Sequence, residues 1–223
     1  MPKIKILTYL YFIILFLDAF GVIFPDILHR KYTTFLPLPI LLLLYLYSVK
    51  KINWLYITSL VATFLGIIFF NTKTYFKTAL IFYGLGVFFY VIISLRSAIV
   101  IPIKSIGIAT IPFLVVYLVP LIYYSEAMQT DIFNYIIFYV FFVGLFIFIS
   151  SLVYLNQRNT TNLWLFCSGI LFLISTVIHG YHLFFEKIIL IRVGIVCTFL
   201  MMHYAMYKYV SEITASKALS EDT

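Results

Sequence analysis

Long apolar runs alternate along this chain with short clusters of charged and turn residues, and the clusters recur at intervals suited to membrane spans. A helix needs about 20 apolar residues, within a range of about 17–25, to cross the hydrocarbon of a bilayer. Cut at its polar clusters, the sequence yields about eight such stretches: Ile6–Phe24, Thr33–Val49, Asn53–Phe70, Tyr75–Leu95, Ser105–Tyr124, Ile132–Leu155, Leu163–Phe185 and Ile188–Tyr209. Pro25, Asp26, Arg30 and Lys31 close the first; Lys50 and Lys51 close the second. Pro37 and Pro39 fall in the opening turns of the second, where the backbone N–H groups have no helical partner to lose. Pro112 and Pro120 lie inside the fifth and predict kinks that neighbouring helices must re-satisfy. The segment SAIVIPI between Arg96 and Lys104 is too short to cross and reads as interfacial. The pattern predicts an all-α fold, a polytopic membrane helix bundle of about eight transmembrane helices. Residues 1–210 form a single transmembrane domain in this reading, and 211–223 a short polar cytoplasmic tail.

Composition sharpens the class. Of 223 residues, 64% are hydrophobic and 10% charged, against about 25% charged in a soluble domain. The net charge of +7 does not argue for nucleic acid, because the basic residues stand at the ends of apolar runs and form no stripe. Insertion topology and lipid headgroups account for them there. Lys3, Lys5, Lys50, Lys51, Arg96, Lys104, Arg158, Lys208 and Lys217 fall on the side of the chain ends. Arg30, Lys31, Lys73, Lys77, Lys187 and Arg192 fall on the other. An even number of spans with this bias describes a multi-pass cell-membrane protein with both termini cytoplasmic, and the acidic loop Glu126–Asp131 agrees with an outside placement. Lys3 and Lys5 before an apolar run look like the start of a signal peptide. The run lacks a small-residue cleavage site, so it is read as the first span. Cys167 and Cys197 lie within spans and read as small core residues, neither a disulfide framework nor a metal-binding pair.

Candidate chemistry gathers in the seventh stretch, LWLFCSGILFLISTVIHGYHLFF, whose second half carries Ser175, Thr176, His179, Gly180 and His182. Polar groups at membrane depth cost free energy unless they face a partner, a cavity or water. His179 and His182, three apart, share one helical face, and His203 lies in the stretch that folds back beside them. Asp18 is the acidic residue in the middle of a span, so it must be protonated, paired or close to the interface. Three imidazoles and a carboxylate match the ligand types of a zinc or iron site. HxxH is a weak motif and no second carboxylate accompanies it, so no metal and no cofactor is expected. The histidines suit proton transfer near neutral pH, although a histidine in a helix bundle more often hydrogen-bonds a neighbouring helix. Ser175 has no base beside it for a nucleophile, and Ser175 and Thr176 are expected to bond back to helix carbonyls. Gly66, Gly84, Gly86, Gly169 and Gly194 are expected to permit close helix packing. A faint duplication relates LVATFLGIIFF to ILFLISTVIHG and GLGVFFYVIIS to GIVCTFLMMHY, at like places in the two halves.

The same residues resemble the YhhN-like lysoplasmalogenase family of eight-span membrane proteins. SGILFLISTVIHGYHLFF is similar to the family's small residue, apolar run, Ser-Asp, and Asn two residues before Phe. TFLMMHYAM is similar to its Thr-Tyr-x-x-x-Gln ending, FLPLP at Phe35–Pro39 to its TKPLP, and FLGIIFF with GLGVFFYVIIS to its Gly-Asp span and the span after it. The resemblance implies hydrolysis of the vinyl-ether bond of lysoplasmalogens with release of a fatty aldehyde, which calls for an acid and a carboxylate. The positions of the family's paired aspartates are Ile67 and Thr176 here; its lysine falls at Leu36 and its span-four histidine near Ile92. Its Asn and Gln become His182 and His203. A catalytic set in this chain therefore reduces to Asp18, Thr176, His179, His182 and His203. Membrane lipids are the implied partners and a lysophospholipid the implied substrate; the pattern says nothing of oligomeric state. The alternative is a non-catalytic membrane protein that binds lipid or a partner through the same bundle. The two readings divide on whether those residues share one cavity.

Overall fold

The computed structural model describes residues 2–72, 75–97, 103–124 and 130–221, with only the backbone described for 2, 103, 116, 119–121, 123–124, 130 and 217–221. Among the described residues there are eight α-helices, one 3-10 turn and no strand. The helices are α1 (Pro2–Ile23), α2 (Pro37–Ser48), α3 (Trp54–Asn71), α4 (Phe76–Leu95), α5 (Ile103–Tyr124), α6 (Thr130–Asn156), α7 (Thr160–Phe184) and α8 (Ile189–Glu221). Six of them, α1, α3, α4, α6, α7 and α8, are long and apolar enough to cross a bilayer. The chain is thus an integral, multi-pass membrane protein built as a helix bundle.

The elements follow the sequence pattern with two departures. The stretch expected as a span from Thr33 yields only the 12-residue α2, about 18 Å at 1.5 Å per residue. Arg30–Tyr32 forms a 3-10 turn, the hydroxyls of Thr33 and Thr34 turn back toward α1, and the helix starts at Pro37. At the other end, the tail expected after Tyr209 continues α8 as helix to Glu221, anchored where the Thr161 hydroxyl donates to Glu212 Oε2 at 2.7 Å. Polar turns are capped as their residues suggest: Asn53 and Asn159 side chains accept from the amides of Tyr56 and Asn162, satisfying donors the first helical turn leaves open. The interfacial segment 98–102 and most of the acidic loop, including Glu126 and Gln129, lie outside the described residues.

Successive helices run up and down. At one end, Ser48 meets Tyr207, Tyr209 meets Ser97 and Thr161 meets Glu212. At the other, Arg30 meets Asp18 and Lys77 meets Asp131. Phe113 packs on Phe148 and Tyr117 on Phe141, which makes α5 antiparallel to α6. The tightest pairings join α3 with α4 and α7 with α8, with α6 between them and α1 and α2 against α8.

Close approach explains two glycines. A Cβ on Gly86 of α4 would stand 2.5 Å from Thr63 Oγ1 on α3, and there the Ser59 hydroxyl donates to the Gly86 carbonyl at 2.7 Å. A Cβ on Gly169 of α7 would run into Ser150 Oγ of α6. Gly194, by contrast, meets nothing closer than Ile178 at 3.4 Å.

The outer face is apolar. On α1, Ile6, Tyr9, Ile13 and Phe16 point outward with 55–68% exposure. Tyr11, Ile14 and Asp18, at helical spacing on the opposite face, are buried. A soluble protein avoids such a surface, and a membrane span needs one.

Candidate functional site

Asp18 reaches the interior because it continues the buried face of α1. The residue is 3% exposed and its carboxylate is fully engaged. Arg30 donates from Nε to Oδ1 at 3.2 Å and from Nη2 to Oδ2 at 2.9 Å. The hydroxyls of Thr33 and Thr34 donate to Oδ1 at 2.7 and 3.1 Å. Of the three ways a membrane acid survives, this one is pairing, and a two-pronged guanidinium contact is a strong form of it. The clamp also ties the α1–α2 connection to the wall of a cavity.

That cavity holds about 320 Å³ and lies between α1, α3, α4, α6, α7 and α8, at the end of the bundle opposite both chain termini. The α7 side is a ladder one helical face wide: Ser175 and Thr176, then His179 and Gly180, then His182 and Leu183. Ile67, Phe70 and Asn71 come from α3, Phe76, Leu80 and Tyr83 from α4, and Ile136, Tyr139 and Val140 from α6. From α8 come Arg192, Ile195, Val196, Phe199 and Leu200, and the first connection adds Arg30 and Thr34. The wall is mainly apolar with a few convergent polar groups, the usual make-up of a small-molecule site.

The imidazoles differ in their surroundings. His179 packs edge-on to Phe70 with ring centroids 5.3 Å apart, and its imidazole makes no hydrogen bond among the described residues. The Glu186 backbone lies close to His182, but its Nδ1 is buried with no partner in good geometry. Thr176 does not bond back to its own helix. Its hydroxyl meets Tyr139 Oη on α6 at 3.3 Å.

His203 stands apart. It is 2% exposed and is not part of the cavity wall; it lies one turn further along α8, with Phe199 packed edge-on against it at 4.7 Å. Its Nδ1 shares a 2.8 Å hydrogen bond with Tyr90 Oη of α4, and its Nε2 is buried without a partner. The structure therefore brings together Asp18, Thr176, His179 and His182 and leaves His203 behind Phe199. Among the described residues, no three His, Cys, Asp or Glu side chains cluster as metal ligands would. Cys167 and Cys197 are unpaired and half-buried.

Two arginines on the wall escaped the sequence reading, which counted them only as topological charge. Arg30 carried a signal: a buried acid needs a cation, and Arg30 is the first permanent one after Asp18. Arg192 carried a weaker one, as a cation placed inside the first turns of an apolar helix.

Comparison with models of known protein families, with curated proteins and with solved structures finds no match for this chain.

Proposed function

We propose that this membrane protein takes a single-chain lipid into its cavity and does not hydrolyse it. One observation carries the reading. Among the described residues, Asp18 is the only acid on the cavity wall, and Arg30, Thr33 and Thr34 occupy its carboxylate. Vinyl-ether hydrolysis calls for a proton donor and a carboxylate that can steady a cation or activate water. A carboxylate bound two-pronged to a guanidinium is poorly placed for either task. Binding, by contrast, needs only a polar end and an apolar wall.

The lysoplasmalogenase resemblance supports a lipid as the occupant. The two positions at which that family carries its aspartates, Ile67 and Thr176, both line this cavity. One residue is apolar and the other hydrogen-bonds a tyrosine, so the bundle reads as one that kept the pocket and lost the acids. In this reading all eight helices cross, α2 as a short span, with both termini in the cytoplasm and the cavity toward the outer leaflet. A second reading, hydrolysis by the imidazoles, draws on one observation: His179 and His182 face the cavity.

The test uses purified protein in phosphatidylcholine nanodiscs, offered a labelled lysoplasmalogen and a labelled monoacylglycerol, with empty nanodiscs as background. We expect retention of at least one single-chain lipid and no aldehyde above background. Leu183→Trp, a substitution at a half-exposed wall position, should reduce retention about ten-fold by filling the cavity. Aldehyde from the wild-type protein that reaches the level of an Ile67→Asp, Thr176→Asp variant and is lost in His179→Ala would establish the hydrolase reading instead. Retention unchanged by Leu183→Trp would remove the cavity from the account.

A further inference from the structure

Charge is unevenly distributed around the cavity. Arg30 is neutralised by Asp18 through the ion pair at 2.9 Å. Arg192 lines the same cavity, and its guanidinium forms no ion pair or hydrogen bond among the described residues. Its surroundings add to its charge: Arg30 is within electrostatic reach of it, and Arg192 and Lys187 both act on His182. It also lies in the first turn of α8, where the aligned peptide dipoles present a partial positive charge. Asp18 is close enough to act on Arg192, but its oxygens are bound elsewhere. Glu186, on the α7–α8 connection, is exposed and makes no ion pair with Arg192.

Arg192 is exposed, so its charge stays partly solvated, and the like charges beside it raise the local potential that draws an anion. An anion there would give Arg192 the direct ion-pair partner that Asp18 gives Arg30, and would give the His182 imidazole an acceptor. Arginine suits a phosphate in particular, through paired N–H donors. The reverse holds for an ammonium group. With its one carboxylate bound, the wall offers no compensating charge for choline or ethanolamine, and Arg192 repels both.

Size points to part of a lipid rather than a whole one. At about 30 Å³ per water-sized group, a cavity of 320 Å³ takes about ten such groups. That is about the size of a phosphoglycerol head. Leu80, Tyr83 and Phe199 offer an apolar wall for its glycerol carbons.

From this arrangement we infer that Arg192 is a specificity-determining residue that selects a single-chain glycerolipid with an anionic phosphate head over its zwitterionic and uncharged counterparts. The inference rests on the lipid-binding reading above and adds the headgroup to it.

The experiment compares three oleoyl lipids of equal chain length on the full protein in phosphatidylcholine nanodiscs: lysophosphatidic acid, lysophosphatidylcholine and monooleoylglycerol. We expect lysophosphatidic acid to be retained at least ten-fold more tightly than either of the others. Arg192→Gln should bring the three within about two-fold of one another, Arg192→Lys should keep part of the preference, and raising the salt should weaken retention of lysophosphatidic acid alone. If Arg192→Gln fails to fold, the salt dependence and the three-lipid ranking of the wild type still decide. Equal retention of all three lipids overturns the headgroup inference and leaves the cavity reading standing. Retention of none overturns both. Displacement by inorganic phosphate at concentrations equal to the lipid's identifies a free-phosphate site and overturns the lipid assignment.

Discussion

Asp18 shows how one side chain can look catalytic in sequence and act as a fastener in three dimensions. Its partners Arg30, Thr33 and Thr34 all lie in the connection that follows α1, so the carboxylate organises a turn as much as it marks a pocket. Removing one partner of a buried ion pair strands the other, at a cost of about 3–5 kcal/mol when both are buried. Asp18 is 4% exposed in its side chain and Arg30 25%, so the cost falls at or just below the lower end of that range. Asp18→Asn should therefore destabilise the protein by about 2–3 kcal/mol, read as a lowered unfolding midpoint in micelles. In a double-mutant cycle with Arg30→Gln, the paired variant should be less destabilised than the sum of the singles. Additive effects would show that the clamp carries no coupling energy. His203 gives the converse lesson. Its polarity in the middle of a span suggested chemistry, but the Tyr90 hydrogen bond and the Phe199 ring make it a link between α8 and α4.

At the level of helices, stability here comes from close contact, since lipid tails compete equally well for apolar surface and no hydrophobic drive brings helices together. The α3–α4 seam illustrates this. Ser59 bonds the Gly86 carbonyl, and the missing Cβ of Gly86 allows that approach. Gly86→Ala should push the two helices apart and cost about 1–3 kcal/mol. Gly107 on α5 has nothing within 4 Å of a Cβ position. Gly107→Ala should be neutral or slightly stabilising, by up to about 1 kcal/mol of helix propensity. Thermal unfolding of the two variants side by side checks the pair, and an equal response would mean that helix propensity alone is being measured. The ladder on α7 is also an element-scale property: Ser175, Thr176, His179, His182 and Leu183 meet one cavity because their spacing keeps them on one face.

The whole molecule has a polarity that no single helix shows. Both chain ends lie at one end of the bundle, and the cavity with Asp18, Arg30 and Arg192 opens at the other. With eight crossings, cysteines introduced at Lys3 and Ser216 should be shielded from an impermeant maleimide in intact cells, after Cys167 and Cys197 are changed to alanine. A cysteine at the exposed Asp26 should react. Opposite accessibility at positions 3 and 216 would mean an odd number of crossings and would remove the outer-leaflet placement of the cavity.

Much of this architecture was legible in the chain itself. Helix positions followed from the lengths of apolar runs, because hydrocarbon thickness dictates span length and polar clusters end spans where water begins. The shared face of His179 and His182 on α7 followed from helical periodicity. The short α2 was not legible, since the threonines that delay its start look like ordinary helix residues until Asp18 recruits their hydroxyls. Nor was the division among the polar residues. A one-dimensional pattern shows which groups must avoid lipid, but not which neighbour satisfies each. Only packing placed Arg30 on Asp18, Tyr90 on His203 and Phe199 before it, leaving Arg192 at the cavity without an ion-pair partner among the described residues. Burial of a polar group is a local demand, whereas its partner comes from a residue tens or hundreds of positions away.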